Sequence, residues 1–219
     1  MDASRAAPFR FDVEGELCAR PDRVRNYLEG CFREPDDAGG GFTGRWFERL
    51  IVTSDPMAFT PADIVAVSAL SVNVPIALAA ALLCDTPTRV DATELLQRIP
   101  APGTQLAEVS SAALSDDSPL GRLYRYLRNQ PGMGPTVTSK LLAAKRPALV
   151  PIRDTVVSNL LGAGTRWWAP MQQVARSDRL SELLCDRCND VVPADVSLLR
   201  RIDVVLWRWG KDTPPPAEI

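Results

Sequence analysis

PGMGPTVTSKLLAAKRPALVPIRD, from Pro131 to Asp154, holds a turn, a helix and the start of the next helix in one run. Gly132 and Gly134 stand one residue apart. They permit the positive φ of a tight turn and let the backbone come close to another molecule. Pro135 follows at the first helical position, where a missing N–H is tolerated. The predicted helix runs from Pro135 to about Ala144, with Lys140 on it and Lys145 and Arg146 at its end. A helix start leaves N–H groups without intrahelical partners at the positive end of a dipole, a seat for an anion such as phosphate. The expectation is a nucleic-acid backbone held at Gly132, Gly134, Thr136, Lys140, Lys145 and Arg146.

Around this stretch the charge has one sign. No acidic residue lies between Asp117 and Asp154, whereas Arg122, Arg125, Arg128, Lys140, Lys145, Arg146 and Arg153 do. The 219-residue chain carries a net charge of −2 and has a pI of about 5.3. An anion site must therefore be local, not a general basic coat. With 46% hydrophobic and 24% charged residues the chain has globular composition and length enough for a core.

Histidine is absent. That excludes Ser-His-Asp and Cys-His catalysis and His-ligated zinc. Chemistry would fall to carboxylates, Lys, Tyr, Cys or an external cofactor. The five cysteines, Cys18, Cys31, Cys84, Cys185 and Cys188, are odd in number and scattered. With no recognisable signal peptide they predict reduced thiols and a cytoplasmic location. Cys185 and Cys188 have no second pair in range, so free thiols are expected there, with no metal and no cofactor. The most apolar run, Val74 to Cys84, is too short to cross a membrane.

Periodicity and caps predict helices throughout and few strands. Phe9, Phe11 and Val13 alternate as in an extended segment. Helices are predicted from Asp22 to Arg33 and over Phe42 to Ile51, with Trp46, Phe47 and Leu50 inward. Thr60 before Pro61 and Ser118 before Pro119 mark helix starts. Val74 to Leu83, apolar nearly all round, predicts a central helix. Asp91 with Glu94 reads as a capping box. Further helices are predicted from Asp154 to Leu161, Trp168 to Arg176, Ser177 to Asp186 and Ala194 to Trp209. The expected architecture is all-α, roughly nine to eleven short helices. It divides as an N-terminal segment 1–41 with one helix and a Gly-rich connector, a helical domain 42–212, and a disordered tail 213–219.

Helix Ser118–Asn129, hairpin Gln130–Gly134 and helix Pro135–Ala144 together resemble the helix-hairpin-helix of endonuclease III-type DNA glycosylases. That resemblance, confined to residues 118–161, implies a glycosylase-like helical fold and a hairpin that grips DNA phosphate through backbone amides. It also implies a catalytic aspartate after the second helix, behind an apolar stretch. Leu149-Val-Pro-Ile152 and Asp154 occupy those places. The likeness would make the chain a monofunctional hydrolase acting on an N-glycosidic bond. Thr136 stands where bifunctional relatives carry a Schiff-base lysine, and four clustered cysteines for an iron–sulfur loop are missing. More broadly, the chain resembles an uncharacterised bacterial family sharing Gly-x-Gly, Lys-Leu-Leu-Ala-x-Lys-Arg-Pro and Pro-x-x-Asp, a likeness that supplies no function.

Each candidate has a plainer role beside the functional one. Asp154 could cap the helix that follows it, and capping is compatible with stabilising an oxocarbenium-like sugar. Trp167 and Trp168 could pack in a core or stack on an extruded base. Asp203, in an apolar helix, suits a structural pairing with arginine. Three readings follow: a nucleic-acid-interacting enzyme, a non-catalytic DNA-binding protein, and a structural or small-molecule protein that keeps the helical fold.

Overall fold

The computed structural model describes residues 9–33, 42–162 and 167–213, and among them every regular element is helical. The twelve α-helices are α1 (Val13–Cys18), α2 (Pro21–Phe32), α3 (Trp46–Ile51), α4 (Pro61–Ala69), α5 (Ile76–Leu83), α6 (Pro87–Gln97), α7 (Pro119–Arg128), α8 (Pro135–Lys145), α9 (Thr155–Leu161), α10 (Trp168–Ala175), α11 (Asp178–Ser181) and α12 (Leu198–Asp212). Among the described residues no helix is long and apolar enough to cross a membrane.

By its contacts the chain forms two units. One joins residues 1–42 to 153–219; the other is the continuous stretch 43–152. The division drawn from the sequence followed chain order instead. Its Gly-rich connector and most of its tail lie outside the described residues.

In the first unit α12 is the central element, packed on α2 and α9. Its apolar face, including Ile202, Val205, Leu206 and Trp209, is buried. The Trp209 ring meets Phe11 at 5.6 Å and Tyr27 at 6.3 Å, with the Arg23 guanidinium 4.1 Å above it. In the second unit α8 packs against α3, α4 and α7. Leu141 and Leu142 of α8, Leu123 and Leu127 of α7, and Ala66 and Val67 of α4 are buried there.

Ser/Thr-Pro signals set the helix starts. Ser118 Oγ accepts the Gly121 N–H at 3.0 Å, and the Thr60 N–H donates to Asp63 Oδ2 at 2.7 Å. Four expectations are corrected. The segment through Val13 is helical, not extended, because the Asp12 carboxylate caps α1 and Glu14 and Glu16 favour its N-terminus. α6 starts at Pro87, capped by Thr86, so Asp91 lies inside it. α5 is not central: it buries Leu78, Ala79 and Leu82, while Ile76 is 84% exposed. Its outer face is otherwise mostly alanine, which water tolerates. Trp46 is 38% exposed beside Arg45 and Arg49, and only Phe47 of the three predicted inward residues is fully buried.

Candidate nucleic-acid interface

α7 ends at Asn129, and the chain turns through Gln130 to Gly134 before α8. The Met133 N–H closes the turn on Gln130 O at 3.1 Å. Gly132 is exposed with φ of 77°, and a Cβ there would sit 2.9 Å from Pro75 Cγ. Only glycine serves at this position, for both backbone and space. Met133 buries its side chain and anchors the turn. Gly134 has φ of −92° and ψ of 168° and is the residue before α8. A Cβ built on it meets nothing within 4 Å. Its glycine is a matter of openness, not strain.

Four backbone donors of this segment are uncommitted. The Thr138 N–H bonds Gly134 O at 3.0 Å. Among the described residues the N–H groups of Gly132, Gly134, Thr136 and Val137 have no acceptor, and Pro135 has no N–H. No side chain caps α8. Asp12, Thr86, Ser118, Asp154, Ser177 and Ser197 fill that role on α1, α6, α7, α9, α11 and α12.

The cations expected beside this turn are elsewhere in use, and those assignments are corrected. Lys140 is 4% exposed, and its Nζ donates to Leu70 O, at the carboxyl end of α4, at 2.9 Å. Lys145 Nζ lies 2.5 Å from Asp63 Oδ2, 2.5 Å from Ser54 Oγ and 2.7 Å from Asp55 O. Both side chains of the Lys145–Asp63 pair are fully buried. Burial pushes the Lys145 ammonium below its ordinary pKa, and the Asp63 carboxylate opposes that shift. Arg146, 1% exposed, donates to Pro100 O at 2.7 Å, Pro56 O at 2.8 Å and Lys145 O at 2.7 Å. The reason is the position of α8: residues 138–145 are all buried, so each charge there needs oxygens inside the fold. Leu141-Leu142-Ala-Ala144 between the lysines was the available signal of a helix enclosed on every side.

The arginines of α7 stay outside. Arg122 and Arg125 are exposed, Arg125 donating to Asp116 O at 3.0 Å and lying 3.7 Å from Asp117. Arg128, also exposed, donates from Nη1 to Met133 O at 2.5 Å. Thr136 is half-buried in the first turn of α8, its carbonyl accepting the Ser139 hydroxyl at 3.0 Å.

Asp154 belongs to the other unit. It is half-buried and caps α9, its Oδ1 accepting the Val156 N–H at 2.8 Å. Trp167, 3% exposed, packs 6.2 Å from Phe9, which removes it as a stacking platform for a base. Trp168 is half-buried at the start of α10. Asp203 pairs with Arg200, as expected. All five cysteines are free thiols, and no group of three or more metal-ligating residues forms among the described residues. Burial pushes the Cys185 and Cys188 thiols up, which makes them poor nucleophiles. Arg201 was missed as a structural residue. It donates to Leu184 O at 2.7 Å and Val196 O at 3.1 Å, bracing the π-helical turn at 182–186.

The family described as "Family of unknown function (DUF6308)" matches residues 22–210, and the chain belongs to it. No curated protein and no solved structure matches the chain. The match takes in both α7 and α8 and the whole of the turn between them.

Proposed function

We propose that the protein binds nucleic acid, DNA in the first instance, by seating a backbone phosphate on the turn before α8, with α7, the turn and α8 acting as a helix-hairpin-helix unit. One observation carries the reading: the four uncommitted amides of Gly132, Gly134, Thr136 and Val137 around an open approach at Gly134. Amide donors at a helix start suit a phosphate oxygen and leave the sequence of the bases unread. Arg122, exposed on the preceding helix, adds long-range attraction. The buried lysines have no part in it. Asp154 is assigned to capping α9, so the proposal is contact, without cleavage of an N-glycosidic bond.

The test is fluorescence anisotropy of a labelled DNA duplex, from about 50 mM to about 200 mM salt. Wild type is expected to bind with affinity that falls as salt rises. Gly134→Asp is the informative variant, because the structure has room for its side chain and its φ suits any residue. Aspartate is a good N-cap, so the fold is kept while a carboxylate occupies the phosphate seat. Loss of affinity by about tenfold or more, with an unchanged or slightly raised Tm, is the expected result. Absence of binding at the lowest salt, or equal binding by Gly134→Asp, sinks the proposal.

A further inference from the structure

We infer that Arg128 is a positioning residue for the amide seat, an inference that rests on the reading above. Its guanidinium locks the Met133–Gly134 peptide so that the Gly134 N–H stays directed away from the carbonyl it holds. Arg128 Nη1 donates to Met133 O at 2.5 Å, a charge-assisted bond from the last residue of α7. The peptide is trans, so its C=O and N–H point to opposite sides of one rigid plane. A cation fixed on the carbonyl therefore fixes the direction of the N–H, and it polarises the peptide, making that N–H a stronger donor.

The bond to this carbonyl is made by Arg128. Among the described residues Met133 O accepts no other hydrogen bond. The Met133 side chain is anchored in the core and Gly132 abuts Pro75, so the turn is held on both sides of the peptide. Those two contacts set where the turn lies. The neighbouring peptides are tied by the Met133 N–H to Gln130 O and by Gly134 O to the Thr138 N–H, and the guanidinium bonds the plane between them directly. It also sits on the carbonyl side of that plane, opposite the side where an anion would take the N–H. Arg128 thus acts through the peptide, without touching the phosphate.

The distinction is measurable. Arg128→Met keeps the aliphatic stem and removes the donor; Arg128→Lys keeps a cationic donor. In ligand-free protein the Gly134 amide resonance is expected to move in Arg128→Met and to return most of the way in Arg128→Lys. Duplex affinity is expected to fall about fivefold or more in Arg128→Met, with partial rescue by lysine and an unchanged Tm. The slope of log affinity against log salt should match wild type, because no phosphate contact has been removed. A slope shallower by about one contact would make Arg128 a direct phosphate ligand and overturn the inference. So would an unmoved Gly134 resonance, or unchanged affinity in Arg128→Met where wild type binds. A wild type that binds no duplex overturns the reading of the site itself, and the Gly134 resonance alone then decides whether Arg128 sets the peptide.

Discussion

The two ends of α8 contrast in chemistry. At its C-terminal end stand Lys145 and Arg146, the residues whose charge most suggests a phosphate. Both are buried and bonded to oxygens of the protein. The first turn of α8 carries no charged side chain, and the N–H groups of Gly132, Gly134, Thr136 and Val137 have no acceptor among the described residues. The suggestive charges are structural, and the open donors belong to the main chain. Formal charge in a sequence therefore says little about a surface until burial is known.

The largest effect that could break this contrast is at Lys145. Lys145→Met leaves Asp63 buried beside a missing ammonium, at an expected cost of about 3–5 kcal/mol. Thermal or urea unfolding measures it, and the double variant Lys145→Met/Asp63→Leu should recover much of the loss. Affinity for DNA that falls in Lys145→Met while stability holds would return that residue to the binding surface.

A smaller effect asks whether burial governs titration in the first unit as it does at Lys145. Burial raises the Cys31 thiol from 9.0 to about 11. In the unfolded chain the thiol ionises first, so between those values the unfolded state holds fewer protons. Stability is unaffected below pH 9 and falls as pH rises towards 11, by up to about 2–3 kcal/mol. Urea midpoints across that range should show the decline, with a shallower one in Cys31→Ala. A flat wild-type profile would deny the thiol's burial.

The smallest effect separates two helix starts. α9 is closed by Asp154, whereas α8 is left open. Asp154→Ala should cost about 1 kcal/mol and Asp154→Asn only a few tenths, since asparagine caps equally well. DNA affinity should be the same in both. Impaired binding by Asp154→Asn at full stability would place that carboxylate in the interface.

Local chemistry made much of the fold legible. Ser118 before Pro119, Thr60 before Pro61 and the paired glycines before Pro135 each mark a helix start that the structure has. Thr86 before Pro87 carried the same signal, but the acidic spacing at Asp91 and Glu94 imitated a later start. Burial was less legible. The acceptors of Lys140, Lys145 and Arg146 include the carbonyls of Leu70, Asp55, Pro56 and Pro100, remote in sequence. A carbonyl is the same atom in every residue, so no side-chain pattern announces it. The amides of the turn were legible for the opposite reason: glycine and proline dictate local backbone geometry.

The interrupted first unit bears on how the chain is made. Residues 43–152 are synthesised as one uninterrupted stretch, so every contact within the second unit is between residues made before Arg153. α1 and α2, synthesised earlier, carry the buried Leu17, Val24 and Leu28 and must wait for α11 and α12, their packing partners. At ordinary rates of translation that interval lasts several seconds. The oldest part of the nascent chain is thus among the last to be buried, and it is the part that a chaperone would meet.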